Sequence, residues 1–361
     1  MRHTVMAVDD LQINLMILEA ILEEDYNVIC VTSGEEALAR LAEEPKPDLM
    51  LLDLSMPVMD GFELLAKMRE DPSLAVIPAI FVTGERDQYS EERGLNLGAV
   101  DYIKKPYVPH IIRIKVRNHI ELKSYRDNLT QAVAERTREL IATHSAIVMG
   151  MSLLSESRDQ ITGSHLARIK TLSNILASIV SARRPDVLSS ELVDSITTYS
   201  PLHDVGKVSV PDAVLNKKGT LTEVEFEQMK RHTTGGGDLL RQIALFLPGE
   251  QKQLSVAIEI AESHHERYDG SGYPKGLRGN EIPLSARIVA VVDVYDALRS
   301  PRPYKRGFTH QEAMDIILKG DGRTEPSHFD PVALKAFLEV HEELQKAYDL
   351  NPDPHILDDV K

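Results

Sequence analysis

Histidines and acids after residue 150 are placed as the ligands of a metal centre would be. His203 is followed directly by Asp204, and His264 is followed directly by His265. Imidazoles combined with a few carboxylates suit borderline metals such as iron, manganese or zinc. A carboxylate such as Asp204 can bridge two ions, which then share a hydroxide able to attack phosphorus in line. The full candidate set is His165, His203, Asp204, His232, His264, His265 and Asp293.

A simpler interpretation applies to each histidine taken alone, since a histidine near a helix end is commonly a solvated cap. Two adjacent pairs, together with Asp293 inside the apolar run 288–298, weaken that interpretation for the set as a whole. The set contains no cysteine, which argues against a structural zinc site. Spacing alone leaves both a two-metal site and a group of unrelated histidines open.

A second set of polar residues follows short apolar runs near the N-terminus. Asp9 and Asp10 follow the first run, Asp53 ends a later one, and Thr83 and Lys105 follow two more. Carboxylates clustered at strand ends suit Mg²⁺, and a carboxylate beside such an ion can accept a phosphoryl group. Lys105 would neutralise the added charge and Thr83 would hydrogen-bond it. Each residue alone is more commonly a turn former, but the occurrence of all five in order after four of the predicted strands favours a site.

Hydrophobic periodicity predicts the elements that must position both sets. Over residues 1–120, short strands alternate with helices, which indicates a parallel sheet with helices on both faces and a site beyond its carboxyl edge. After residue 150 the pattern is helical and predicts an all-α domain. The predicted strands are Thr4–Val8, Asn27–Val31, 49–52, 76–82 and 100–103, and the predicted later helices are 161–180, 189–203, 222–232, 236–246, 251–264, 284–298, 309–319 and 331–347.

Residues 111–149 contain neither proline nor glycine, which predicts a long helix belonging to neither domain core. Apolar residues recur at heptad a and d positions, although Arg126, Arg136 and Thr143 interrupt the pattern. A homodimer seam and a monomeric helix packed on a neighbour both fit this pattern. The apolar a and d residues are Leu122, Leu129, Val133, Leu140 and Ile147.

Overall composition excludes several classes of protein. The formal net charge of −15 argues against a protein that binds DNA or an acidic membrane surface through a basic face. The single cysteine, Cys30, excludes a disulfide framework and suits the reducing cytoplasm. No apolar stretch approaches the roughly 20 residues that span a bilayer, and Asp9 and Asp10 interrupt any secretory signal. We expect a soluble cytoplasmic protein with no DNA or membrane partner.

Residues 1–120 resemble the receiver domains of two-component response regulators. The resemblance implies a flavodoxin-like α/β fold with a five-stranded parallel sheet, and phosphorylation of Asp53 by a sensor histidine kinase. It implies Mg²⁺ binding by Asp10, Asp53 and the Ser55 carbonyl with help from Asp9, and a switch formed by Thr83, Tyr102 and Lys105. The matching residues are Asp9-Asp10, Leu51-Leu52-Asp53-Leu54-Ser55-Met56-Pro57, Met59-Asp60-Gly61, Thr83-Gly84 and Lys105-Pro106.

Residues 151–361 resemble the HD-GYP phosphodiesterases, a branch of the HD hydrolases. The matching segments include Glu156-Ser157-Arg158-Asp159, Thr162-Gly163-Ser164-His165, His203-Asp204-Val205-Gly206-Lys207, His264-His265-Glu266-Arg267-Tyr268-Asp269-Gly270-Ser271-Gly272-Tyr273-Pro274 and Asp293-Val294-Tyr295-Asp296. The resemblance implies hydrolysis of cyclic di-GMP to pGpG, and in some members to GMP, by a hydroxide that two metal ions activate. Iron is the favoured metal and manganese the alternative. The implied ligands are the seven candidates above, with Asp204 bridging, Lys207 near the scissile phosphate, and Tyr273, Asp296, Arg302 and Lys305 holding the substrate.

One position departs from the family pattern. Some members carry a glutamate four residues before the motif histidine that helps to hold a third metal, whereas this chain has Ile161 there. We therefore expect two metals, and the preference between cyclic di-GMP and pGpG stays open.

The sequence predicts a multidomain chain with a receiver domain over 1–120, a linker helix over 121–150 and an all-α HD-type domain over 151–361. Phosphorylation of Asp53 is expected to alter the relation of two catalytic domains through the helix. Two rival functions stay open. One is an HD-family phosphohydrolase that prefers pGpG or another nucleotide, and the other is a cyclic di-GMP receptor or scaffold that docks diguanylate cyclases.

Overall fold

The computed structural model describes residues 2–84, 88–158, 163–247, 249, 251–301 and 306–352, with side chains for all of these except 88–91. The chain forms two compact units that divide between Arg138 and Glu139. None of the described helices has both the length and the hydropathy needed to cross a membrane. Ile161 and the predicted substrate ligands Arg302 and Lys305 lie outside the described residues.

The first unit is a five-stranded parallel sheet in the order β2-β1-β3-β4-β5, as predicted. Its strands are apolar along their length because helices cover both faces. In β1, for example, Met6 and Val8 enter one core, while Val5 and Ala7 enter the other. The elements are β1 Thr4–Val8, α1 Gln12–Leu22, β2 Asn27–Val31, α2 Gly34–Leu41, β3 Leu49–Asp53, α3 Gly61–Glu70, β4 Ala79–Thr83, α4 Gln88–Asn96 and β5 Asp101–Lys104.

The helix predicted between the two regions is present as α5, Pro109–Glu156, a single helix of 48 residues. Its first turns bury Ile112, Val116 and Ile120 in the core of the first unit. Val148, near its other end, is buried in a core cluster of the second unit. Between these ends its apolar side chains are exposed, so the helix carries an unpaired apolar face. The three-part division of the chain stays a prediction.

The second unit is helical throughout its described residues. Helix α6 lies at the centre of its largest core, to which it contributes Ile169, Leu172 and Leu176. Three 3₁₀ segments, at Ser200–Ser209, Gly279–Glu281 and Pro326–His328, connect the α-helices. These are α6 Gly163–Arg183, α7 Ser190–Tyr199, α8 Asp212–Leu215, α9 Glu223–Ala244, α10 Gln251–Ser263, α11 Leu284–Arg299, α12 His310–Lys319, α13 Pro331–Glu339 and α14 His341–Asp349.

The predicted helix 331–347 is divided at Val340 into α13 and α14. Two further predicted helix boundaries, both near the histidines, are also wrong. Helix α7 ends at Tyr199 because Pro201 has no N–H to continue the helical hydrogen bonds, so His203 lies in the 3₁₀ segment that follows. Helix α9 continues through the three glycines at 235–237, which sequence reasoning treated as a break. A Cβ on Gly206 would overlap the backbone of α9, so glycine there permits close packing of the 3₁₀ segment on α9.

Candidate functional site

Backbone carbonyls hold three histidines of the second unit in one tautomer. In His203, His232 and His264, Nδ1 lies 2.7–3.0 Å from the carbonyl oxygen of a residue three or four positions earlier. A carbonyl oxygen can only accept, so each Nδ1 donates its proton and each Nε2 keeps its lone pair. The three imidazoles are therefore prepared to act as ligands through Nε2.

The three Nε2 atoms surround the carboxylate of Asp204. The Nε2 atoms of His232 and His264 lie 3.3 and 3.6 Å from Oδ1, and that of His203 lies 3.5 Å from Oδ2. Within the described part of the chain, no hydrogen bond satisfies the three Nε2 atoms or Asp204 Oδ1, although all four are buried. Buried acceptors that converge without a donor are unfavourable unless a cation lies among them. The donor set fits a divalent metal ion.

The other predicted metal ligands lie around the same point. His265 belongs to a donor group with Asp204, His232 and His264, in which the ligand atoms lie within 4.8 Å of one another. A second group of the same compactness consists of Glu156, His165 and His203. Asp293 Oδ1 is 3.8 Å from His203 Nε2. All seven candidates are thus brought together, and the two oxygens of Asp204 face histidines of different groups.

Burial favours the neutral, metal-binding form of His203 and His265, and neighbouring cations favour the ionised form of Asp204. Burial lowers the pKa of His203 to about 4 and that of His265 well below its usual range. Burial alone would raise the pKa of Asp204, but Lys207 and His203 outweigh it and hold that pKa well below its usual range. Neutral imidazoles and an ionised carboxylate are the ligand forms. Lys207 Nζ lies 2.9 Å from Asp204 Oδ2, so the ammonium group of Lys207 is adjacent to the candidate metal ligands.

Asp296 is buried between His165 and Arg168 and bonds to both. Its Oδ2 lies 2.7 Å from His165 Nδ1, and the guanidinium of Arg168 donates to the same carboxylate. Asp296 is 0% exposed, and its contact with substrate stays a prediction. Burial would lower the pKa of His165, but the bond to Asp296 raises it to about 9. A carboxylate behind a ligand histidine orients the ring and strengthens it as a donor.

We expect Asp296→Asn to weaken metal binding about 10- to 100-fold, because His165 loses its orienting carboxylate. The same change should lower the free energy of unfolding by about 3 kcal/mol, because the buried Arg168 loses its charge partner. Metal titration and denaturant unfolding measure the two effects. The control is Asp349→Asn, which removes a carboxylate that is half exposed and paired with Arg299. Unchanged metal affinity in Asp296→Asn would contradict the positioning role.

Tyr273 lies beside the histidines, with its ring centroid 4.9 Å from that of His265. The buried carboxylate of Glu266 accepts two backbone N–H groups of the same loop, at 2.7 and 3.0 Å. Gly272 packs against the backbone near Glu266, where a Cβ would not fit. The loop therefore has a defined shape that keeps Tyr273 beside the ligands, and its contact with substrate stays a prediction.

Sequence reasoning missed two residues at the end of α5. The buried carboxylate of Glu156 lies 3.6 Å from His165 Nε2. The hydroxyl of Ser155 lies 3.0 Å from the backbone carbonyl oxygens of Asp204 and Val205. Glu156 stands in a quoted motif, but no periodicity indicates that its side chain turns toward a histidine nine positions later.

The residues predicted to form a phosphoacceptor site lie together at the carboxyl edge of the sheet in the first unit. Lys105 Nζ lies 2.9 Å from Asp9 Oδ2 and 2.6 Å from Asp53 Oδ1, and the Ser55 N–H donates to Asp53 Oδ2 at 2.9 Å. Burial raises the pKa of Asp53 although Lys105 opposes the shift. Asp10 is exposed directly after Asp9. These acids offer the oxygen ligands that Mg²⁺ prefers, and Mg²⁺ binding stays a prediction.

The predicted switch residues lie on or directly after the neighbouring strands β4 and β5. Thr83 is buried at the end of β4, and its carbonyl accepts the Lys105 N–H at 2.8 Å. Tyr102 on the edge strand β5 is half-buried, with the amines of Lys104 and Lys115 at 5.2 and 5.0 Å from its ring centroid. Their role in switching stays a prediction.

Comparison with known proteins supports the two predicted kinds of domain. A family model for the response regulator receiver domain matches residues 5–117, and a model for the HD domain matches residues 156–331.

A probable cyclic di-GMP phosphodiesterase of Vibrio cholerae is 40% identical over 346 residues, which cover 93% of this chain and 77% of the relative. The cyclic di-GMP phosphodiesterase response regulator RpfG of Xanthomonas campestris is 35% identical over 352 residues, covering 95% and 89%. A cyclic di-GMP phosphodiesterase of Thermotoga maritima is 36% identical over 338 residues, covering 90% and 86%. The chain therefore belongs to the response regulators in which a receiver domain is followed by an HD domain of the metal-dependent hydrolases.

Proposed function

We propose that this chain is a phosphorylation-regulated phosphodiesterase that hydrolyses cyclic di-GMP to pGpG. The observation that carries the proposal is the convergence of three buried histidine Nε2 atoms on Asp204, with the ammonium of Lys207 beside it. The names of three relatives with near-full-length similarity support the choice of substrate.

The bound metal ions and the residues of the chain would have different roles in the reaction. When bound, divalent ions supply hydroxide at neutral pH and neutralise charge on the phosphate. The backbone carbonyls behind the histidines keep Nε2 available, and Asp204 can hold two ions because its oxygens face different donor groups. Lys207 is placed to stabilise the negative charge that develops on the phosphoryl oxygens.

We propose two metal ions, with iron favoured over manganese. One donor group contains Asp204, and the other adjoins it through His203, whose Nε2 lies 3.5 Å from Asp204 Oδ2. Each group mixes imidazole with carboxylate, the combination that suits these metals. Glu156 supplies the carboxylate of the second group, so the absence of a glutamate at position 161 does not leave that group without an acid. Three ions per chain at full activity would contradict the proposal.

The test is metal analysis of anaerobically purified protein, followed by product analysis with cyclic di-GMP and with pGpG after loading with Fe²⁺ or Mn²⁺. We expect two metals per chain and pGpG as the first product of cyclic di-GMP. Hydrolysis of pGpG alone would indicate a different phosphohydrolase. Binding of cyclic di-GMP without turnover by metal-loaded protein would indicate a receptor or a docking partner for diguanylate cyclases.

We further propose that phosphorylation of Asp53 acts on the hydrolase through α5. A receiver domain implies a phosphodonor such as a histidine kinase. One end of α5 belongs to the receiver core, and its last turn contacts the backbone of Asp204 through Ser155. Coupling between sites of about 1–3 kcal/mol would change activity by about 5- to 150-fold.

We propose a homodimer through the exposed apolar face of α5. Leu129 and Leu140, at a and d positions, are 58% and 70% exposed in the single chain. The double variant Leu129→Glu and Leu140→Glu should convert a dimer into a 40.3 kDa monomer in sedimentation velocity, because like charges would face each other across the seam. The control is Gln131→Glu, an exposed position outside the a and d set. A wild-type chain that stays monomeric at high concentration would contradict the dimer.

A further inference from the structure

An aromatic surface extends from the metal ligands toward solvent. The ring of Tyr273 lies beside His265, and the ring of Phe226 meets Tyr273 edge to face, with centroids 6.0 Å apart and planes at 78°. Phe226 remains 43% exposed, so part of its ring is free to contact a ligand. We call Phe226, Tyr273 and the neighbouring Lys230 the aromatic wall.

Helix α9 places the wall and the metal ligand His232 on one rigid element. The capping box formed by Thr222 and Glu225 fixes the first turn, in which Phe226 lies. Lys230 is four residues further on and therefore lies on the same side of the helix. Phe226 is thus positioned by the helix that also carries His232, and it does not depend on a loop for its orientation.

The wall combines a flat apolar surface with a positive charge. The ammonium of Lys230 lies 4.9 Å from the centroid of Phe226 and 5.7 Å from that of Tyr273. Glu227 pairs with Lys230 at 2.6 Å, but the side chain of Lys230 keeps 27% of its surface exposed. An apolar ring face next to a cation suits a nucleobase attached to a phosphate, because the base stacks and the phosphate is neutralised.

We propose that Phe226 is a substrate-binding residue on which one guanine base of the cyclic dinucleotide stacks while a phosphate lies at the metal ligands. The inference rests on the proposed function and extends it. A base-stacking contact on an exposed ring strengthens substrate binding without changing the metal ligands. It therefore acts on KM for substrates that carry a base and leaves the chemical step unchanged.

The test compares Phe226→Leu and Phe226→Trp in the full-length, metal-loaded protein. Leucine keeps apolar bulk without an aromatic face, so KM for cyclic di-GMP should rise about tenfold with kcat and metal content unchanged. Tryptophan keeps the stacking face, so its KM should stay at or below the wild-type value. Turnover of methyl 4-nitrophenyl phosphate, a diester without a nucleobase, should be unchanged in both variants. The control is Phe246→Leu, which removes an aromatic ring that is 83% exposed just beyond the end of α9.

The outcomes separate this inference from the proposed function. A wild-type KM for cyclic di-GMP in Phe226→Leu, or an equal loss of activity on the base-free diester, would overturn the stacking role. A wild-type protein that cleaves the base-free diester but not cyclic di-GMP would overturn the proposed function, and the stacking inference with it.

Discussion

Asp204→Asn is expected to lower kcat on cyclic di-GMP at least about a thousandfold and to reduce bound metal from two ions per chain to one or none. Both carboxylate oxygens of Asp204 face ligand histidines, and Oδ2 also pairs with Lys207. The asparagine side chain has the same shape but only one oxygen that can bind a metal ion, and it carries no charge. It therefore cannot hold two cations. Losing the charge stabilisation of several kcal/mol that such ions provide corresponds to this change in rate.

Metal analysis and steady-state kinetics of the same preparation measure both effects. The control is Asp238→Asn on α9, whose side chain is 72% exposed and pairs only with Arg241 among the described residues. This variant should keep its metal and its activity. Full metal content and near-normal turnover in Asp204→Asn would contradict the bridging role. Normal signalling output from an inactive Asp204→Asn protein in cells would favour the scaffold alternative.

Asp53→Asn is expected to abolish phosphoryl incorporation from a small phosphodonor and to make hydrolase activity independent of that donor. Asp53 is buried at the end of β3 with one oxygen 2.6 Å from Lys105, so the nucleophile and the cation that neutralises the phosphoryl group are adjacent. Asparagine keeps the shape but lacks the carboxylate that forms the acyl phosphate bond. The wild-type chain should change its activity by about 5- to 150-fold on phosphorylation, in one direction or the other.

Radiolabel incorporation, and phosphodiesterase activity with and without the phosphodonor, measure this prediction. Asp25→Asn replaces an exposed aspartate of the receiver and should retain both phosphorylation and the response. Phosphorylation of Asp53→Asn at the wild-type level would assign the phosphoacceptor to another residue. A wild-type chain that is phosphorylated with no change in activity would contradict coupling through α5.

The sequence by itself was sufficient for the sheet, the long helix and most of the residues that lie together at the candidate metal site. Strands such as 49–52 are apolar because both faces are covered, and this pattern is local. Chemically distinctive pairs such as His203-Asp204 and His264-His265 indicate a site from the sequence alone. The ligands were predictable because residue type alone states what a histidine or carboxylate can bind.

The tertiary structure alone decided how these residues are supported. Asp296 is a predicted substrate ligand by its motif, and packing of α11 against α6 encloses it between His165 and Arg168. The glycines at 235–237 looked like a helix end, but α9 continues through them. The 3₁₀ segment packs so closely on α9 that glycine is needed at the crossing. Glu156 and Phe226 acquire their neighbours through contacts with residues distant in sequence or on another element. Local periodicity reports which face of an element is apolar, whereas the partner of a buried polar group depends on how separate elements meet, which only the folded chain determines.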